Sequence, residues 1–342
     1  MRNTPIVSAL TIAILSIACS TDAWSSTPPG ASSQRSNMTV ASRSLPTFEW
    51  VTLGTVGGPM PQPGRNEPAN LLVKRGEAHL IDVGDGAATA MIAAGTDLSS
   101  LRTIWISHIH FDHIGGLYAV LGMRLQTRTT SHLTIYGPPG TRDIVNGLLA
   151  AMAPSARSGF GIPGEAPVDP GASINVIELD DGALVRVGDF TVRTASNTHY
   201  SFVDGSPEGR YFRSLSFRFD LADRSIVYTG DTGPSSKVVE LAKGAAVLIT
   251  ELIDFDATLT AIDRSGVMQT REERDHMAQH LRSHHLTPEA IGNLATEAAV
   301  GRVIVTHIAG GARDASASRR YVEQIQLRYS GPVVVANDMD RF

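Results

Sequence analysis

The densest chemistry in the chain lies in one heptapeptide, Ser107-His108-Ile109-His110-Phe111-Asp112-His113, followed closely by Gly115 and Gly116. Three imidazoles and a carboxylate crowded together serve no ordinary packing purpose. Neutral imidazole is the commonest protein ligand for a divalent metal, and Asp adds a hard anionic oxygen. On a strand-to-helix loop, this spacing lets His108 and His110 face one ion while Asp112 and His113 face a second. Three more candidates stand at expected strand ends: His199 in Asn197-Thr198-His199, Asp231 in Thr229-Gly230-Asp231-Thr232-Gly233-Pro234, and His307 in Val305-Thr306-His307. A lone strand-end residue of this kind is more often structural. With the heptapeptide, the three form a constellation.

Taken in chain order, these motifs resemble the metallo-β-lactamase superfamily from about Phe48 to the C-terminus. The resemblance implies a four-layer αββα sandwich. It also implies a centre of two zinc ions, with manganese or iron as the alternative at one site. One ion would be held by His108, His110 and His199 and the other by Asp112, His113 and His307, with Asp231 bridging both. Ions in such sites lie ~3.5–4 Å apart and share a hydroxide. Asp82, in Ile81-Asp82-Val83-Gly84, matches a family aspartate that supports the ligand loop from behind; a helix-capping turn residue is the plainer alternative.

The frame around Asp231 resembles the ribonuclease Z and phosphodiesterase branch rather than the β-lactamases. Glu251, in Leu248-Ile249-Thr250-Glu251, and His285, in His284-His285-Leu286-Thr287-Pro288-Glu289, match that branch too. There a Glu–His pair orients and protonates the leaving group. His284 is the rival for the role, and the placement of Thr287 and Glu289 favours His285. The catalytic residues implied are therefore Asp112, Glu251 and His285.

Other segments are similar to secreted arylsulfatase-type enzymes of the same fold: Leu53-Gly54-Thr55, Pro68-Ala69-Asn70-Leu71-Leu72, Tyr136-Gly137-Pro138-Pro139-Gly140-Thr141 and Gly331-Pro332-Val333-Val334. The expected activity is hydrolysis of a sulfate or phosphate ester. A lactonase or carboxylic esterase on the same metals is one alternative, and a metal-dependent binding protein without turnover is another. The intact ligand set together with Glu251 and His285 argues against the last.

Elements must position these residues. Apolar, β-branched runs predict strands at Trp50–Leu53, Asn70–Val73, His79–Val83, Thr103–Ser107 and His132–Tyr136, with helices at Ala87–Ala94, Leu117–Leu125 and Thr141–Met152. The second half repeats the pattern. Strands are expected at Ile174–Leu179, Ala183–Val187, Thr191–Ala195, Phe212–Phe219, Ser225–Tyr228, Val247–Thr250, Val303–Thr306 and Val333–Val335. Helices fit Lys237–Ala242, Arg271–His284, Pro288–Glu297 and Ser318–Leu327. The Gly- and Pro-dense stretch Ala153–Ala172 reads as a surface loop near the site mouth. His276, His280 and His284 share one helix face, which reads as a polar surface before it reads as a ligand set. Tyr200, Phe202, Tyr211 and Phe212 are either pocket lining or core. Arg65 is either an anion contact or a surface residue.

The chain has 342 residues, 42% hydrophobic and 18% charged, with a formal net charge of −5. No Lys/Arg run or long basic arm is present, so the expectation is a small-molecule ester substrate and no nucleic-acid partner. Arg2 followed by an uncharged apolar stretch, Pro5 to Ala18, reads as an export signal too short for a membrane span. Cleavage after Ala18 or Ala23 is expected. Cys19, the single cysteine, offers lipidation as the competing outcome. The expected organisation is a signal over residues 1–23, a disordered tether over 24–47 and one hydrolase domain over 48–342. The protein would then be periplasmic, or a membrane-anchored lipoprotein.

Overall fold

The computed structural model describes residues 48–342, apart from 59, 204, 312 and 313. The expected signal, Cys19 and the tether lie outside the described residues. Two mixed sheets form the centre. The first contains β1 (Glu49–Gly54), β2 (Ala69–Lys74), β3 (Glu77–Val83), β4 (Leu101–Trp105), β5 (Leu133–Gly137) and β6 (Ile174–Glu178), neighbouring in that order. β1 to β3 run antiparallel, and β3 to β6 run parallel. Its helices are α1 (Ala87–Ala93), α2 (Phe111–Ile114), α3 (Leu117–Gln126) and α4 (Thr141–Ser158).

The second sheet repeats this plan. It contains β7 (Leu184–Val187), β8 (Phe190–Ser196), β9 (Leu215–Asp220), β10 (Ser225–Tyr228), β11 (Val247–Ile253), β12 (Val303–Ala309) and β13 (Val333–Val335). β7 to β10 are antiparallel, and β10 to β13 are parallel. Its helices are α5 (Pro207–Tyr211), α6 (Ser236–Ala242), α7 (Phe255–Ser265), α8 (Arg271–His284), α9 (Pro288–Glu297) and α10 (Ala315–Gln326).

The inner faces of both sheets close on one aromatic core. Trp105 stacks on Tyr136 at 4.2 Å between ring centroids and meets Phe217 and Phe219 edge-on. Leu71, Leu80 and Ile104 point the other way, under α1, α3 and α4, while Leu248, Val303 and Val305 lie under α6, α9 and α10. Strands buried on both faces read as continuous apolar runs rather than alternations, as Val247–Ile249 does before the polar Thr250 and Glu251. The result is the expected αββα sandwich.

Several boundaries differ from the sequence expectation. α4 continues to Ser158, through Pro154, so the first residues of the expected surface loop are helical. The turn before Pro154 is exposed at Ala150, whose freed carbonyl can meet water. β9 starts at Leu215 rather than Phe212, which leaves Phe212 outside the sheet. The expectation also lacks α7. Its signals are nonetheless present: Asp254 caps its start by accepting from Ala257 N, and Gly266 ends it at φ 67°.

Candidate metal centre

The C-terminal ends of the parallel strands are where loops of such sheets gather. β4 delivers His108 and His110, and α2 carries Asp112 and His113. His199 follows β8, Asp231 follows β10, and His307 lies within β12. The ligating atoms of His108, His110 and His199 converge within 4.8 Å of one another, as do those of Asp112, His113, Asp231 and His307. Asp231 also falls within that range of His199 and His285, so it faces both groups. His110 Nδ1 lies 3.1 Å from His108 Nε2 and 3.0 Å from His199 Nε2. Asp231 Oδ1 stands 3.1 Å from His307 Nε2 and 3.3 Å from His113 Nε2.

Asp82 holds this cluster from behind. Fully buried, it accepts hydrogen bonds from Ser107 N at 2.7 Å, Ser107 Oγ at 2.8 Å and Tyr228 Oη at 2.7 Å. It also lies 2.8 Å from His113 Nδ1, which places the proton there and leaves Nε2 free to face the cluster. Asp82 takes a positive φ of 54° and His307 one of 40°. Non-glycine residues adopt such angles at a cost of order 1–3 kcal/mol, and sites are where they concentrate. At β12 the cause is visible. Thr250 pairs with Val305 and Leu252 with Ile308, so Thr306 and His307 together oppose Glu251. That bulge turns both His307 and Glu251 toward the site.

Burial pushes His108 and His199 well below the usual imidazole value, so both are neutral and can act as ligands. Burial opposes charge on His113 as well, but Asp112, Asp231 and Asp82 outweigh it and hold His113 well above that value. Burial likewise opposes charge on Asp231, yet His307 and His113 keep its carboxyl well below the usual range. His113 Nε2 and Asp231 Oδ1 are buried with no hydrogen-bond partner, and both face the cluster. Imidazoles and carboxylates converging with such orphaned atoms fit a divalent metal site.

Glu251 and His285 flank the centre. Glu251 is almost fully buried; its Oε1 accepts from Thr232 N at 2.7 Å, and its Oε2 lies 2.8 Å from His285 Nδ1. Local sequence explains this meeting. A capping box between Thr270 and Glu273 starts α8. The helix stops at His284 because buried Leu286 turns into the core, and Thr287 with Pro288 starts α9. Ile253 N donates to Leu286 O, which lays the turn along β11.

The structure separates the rival imidazoles. His284 places Nδ1 against Thr198 O and Nε2 2.6 Å from Ser201 Oγ, while its carbonyl lies 3.2 Å from His199 Nδ1. Both ring nitrogens are engaged. Of the other α8 imidazoles, His276 is exposed and His280 packs on His284 at 4.9 Å; among the described residues the three form no ligand set. Arg65 is tied to Thr55 and Asn337. A cavity of about 700 Å³ beside α7 and α10 is lined by none of the ligating residues.

Sequence reading missed Gly57 and Gly58. Gly58 N donates to Asp112 Oδ2 at 3.0 Å, and a Cβ on Gly58 would overlap that carboxylate. The adjacent glycines were the available signal. Gly233 was also missed; it lets the end of α8 approach the Asp231 loop through Ser283.

Comparison with known proteins agrees with this geometry. Residues 53–284 match the family described as anti-Pycsar protein Apyc1. A ribonuclease Z of Mycobacterium sp. (strain KMS) is 31% identical over 259 residues, covering 75% of this chain and 83% of that protein. The metallo-β-lactamase fold protein YhfI from Bacillus subtilis superposes with a TM-score of 0.62 at 17% identity, over 86% of this chain and 98% of the other. The short form of human tRNase Z gives 0.58 at 22% identity, over 86% and 98%. The expectation of a small-molecule substrate with no nucleic acid is overturned, because the relative at 31% identity is a ribonuclease Z. Net charge misled there: it sums the whole chain, whereas recognition depends on the local field at the site. The chain belongs to the anti-Pycsar Apyc1 family, within the ribonuclease Z-like branch of the metallo-β-lactamase superfamily, and is a metal-dependent hydrolase of ester bonds.

Proposed function

We propose that the protein is a two-zinc phosphodiesterase acting on RNA. The observation that carries this reading is the Glu251–His285 pair beside the ligand cluster, 2.8 Å apart, in a chain related to ribonuclease Z. His108, His110 and His199 would hold one ion, Asp112, His113 and His307 the other, with Asp231 shared. Bound there, divalent ions supply charge neutralisation and a water acidified toward neutrality.

The chain's own residues do the rest. Asp82 and the His284 carbonyl fix the His113 and His199 rings. Glu251 holds His285 by Nδ1, so His285 Nε2 carries the proton aimed at the site. Burial disfavours the charged imidazole, but Glu251 raises it to about 9. His285 is therefore protonated at neutral pH and able to act as a general acid. Water oxygen bonds to phosphorus and gives up a proton to solvent as the bond from phosphorus to the leaving oxygen breaks; that oxygen takes the proton from His285 Nε2, which solvent later restores.

Export belongs to this proposal on the leading sequence alone. The test of function is a panel offered to the purified, metal-loaded protein: an RNA oligonucleotide, an aryl sulfate and a lactone. The proposal expects cleavage of RNA to be fastest. Turnover confined to the sulfate or the lactone would overturn it.

A further inference from the structure

Four aromatic rings lead away from the ligand cluster, outside the core. Tyr200 stands 5.1 Å from the His110 ring, Phe202 lies 5.9 Å from Tyr200, Phe212 lies 5.3 Å from Phe202, and Tyr211 lies 5.0 Å from Phe212. Phe202 is 46% exposed and Tyr211 40%. Each ring packs on its neighbours in the row yet leaves a large part of its surface open to solvent, where a flat ligand can reach it.

The segment is anchored at both ends. Ser201 Oγ lies 2.6 Å from His284 Nε2. Tyr211 Oη donates to Asp143 Oδ2 at 2.7 Å, and its ring sits where a Cβ on Gly140 would touch it. α5 is itself fixed at its start, where Ser206 accepts from Gly209 N. The rings are thus held in place on a tied segment.

We infer that this row is a stacking platform for the nucleobase next to the scissile phosphodiester, with Phe202 as the contacting ring and Phe212 supporting it. Unpaired RNA bases are recognised by stacking on aromatic side chains, and any base offers a face to such a ring. Tyr200 spaces the platform one ring from the metal cluster. The inference deepens the proposed function and rests on it for the identity of the substrate.

The test is calorimetric titration of the metal-loaded protein with adenosine 5′-monophosphate and with ribose 5-phosphate, which share the phosphate and sugar but differ in the base. The platform predicts that the nucleotide binds roughly 5- to 100-fold more tightly. Phe202→Ala should bring that ratio to about one, and Phe202→Trp should keep it. Phe202 is an exposed loop residue, so circular dichroism should show both variants folded. Equal binding in the wild type, or a ratio unchanged in Phe202→Ala, would overturn the platform. A Phe202-dependent ratio in a protein that cleaves no phosphodiester would keep the platform and remove the hydrolytic reading. Phosphodiester cleavage without base preference would do the reverse.

Discussion

His285 Nδ1 and Glu251 Oε2 meet at 2.8 Å, one partner from an extended residue after α8 and the other from β11, opposite the bulge in β12. With Nδ1 committed to the carboxylate, the remaining nitrogen of His285 faces the centre. Replacing His285 by Ala should lower turnover of RNA roughly 10²- to 10⁴-fold, the usual worth of general-acid assistance. Nitrophenyl phosphodiesters leave as stable anions and should lose far less. Metal content should stay near wild type. Equal losses on both substrate types would remove His285 from the proton-donor role.

The same pair sets a pH dependence. The folded-state value of His285 is raised to about 9, so the acid form is fully present at neutral pH and is lost as pH rises through about 9. Activity on poor leaving groups should fall over that window. Glu251→Gln removes the charge that sustains the imidazolium, and burial then lowers the value. The alkaline limb of the rate profile should move to lower pH in that variant. A limb that stays in place would dissociate Glu251 from His285.

Asp82 should matter through the ring it holds. Asp82→Asn keeps the shape but gives up an acceptor shared by Ser107, Tyr228 and His113. Loss of such a supporting carboxylate costs about 10- to 100-fold in metal affinity. Competition with a chelator of known affinity would measure it, and an unchanged affinity would make Asp82 a loop anchor only.

Gly58→Ala tests the close approach at Asp112. A methyl group there meets the Asp112 carboxylate, so the loop or α2 must shift. The expected result is weakened metal retention with little change in melting temperature, because Gly58 lies in the connection between β1 and β2 and belongs to no strand or helix. Retention equal to wild type would show that the loop yields freely.

Much of this centre was legible because metal ligands are polar residues in places where packing favours apolar ones. His108, His110, Asp112 and His113 announce themselves at any level of reading, and the strands before them are plain apolar runs. Less was legible where long-range pairing decides. No local pattern tells that Thr306 and His307 oppose Glu251 alone, and that bulge aims both side chains. His284 and His285 are adjacent and chemically identical; the placement of Thr287 and Glu289 favours His285, and the inward turn of Leu286 shows how one meets Thr198 and Ser201 and the other Glu251. The expectation of a small-molecule substrate rested on charge summed over a whole chain, which does not report the local field at the site. For Phe202 and Tyr211 the sequence leaves pocket lining and core as alternatives, and only their exposure puts them outside the core.

The central claim is that two ions, held by seven converging side chains, drive cleavage of an RNA phosphodiester. Stripping the protein with a chelator and titrating zinc back while following cleavage of an RNA oligonucleotide tests it directly. The account predicts no cleavage in the stripped protein, a rise with added zinc and a plateau at about two equivalents per chain, with Asp231→Ala inactive throughout. A plateau at one equivalent, or RNA left intact by the protein carrying two, would contradict it.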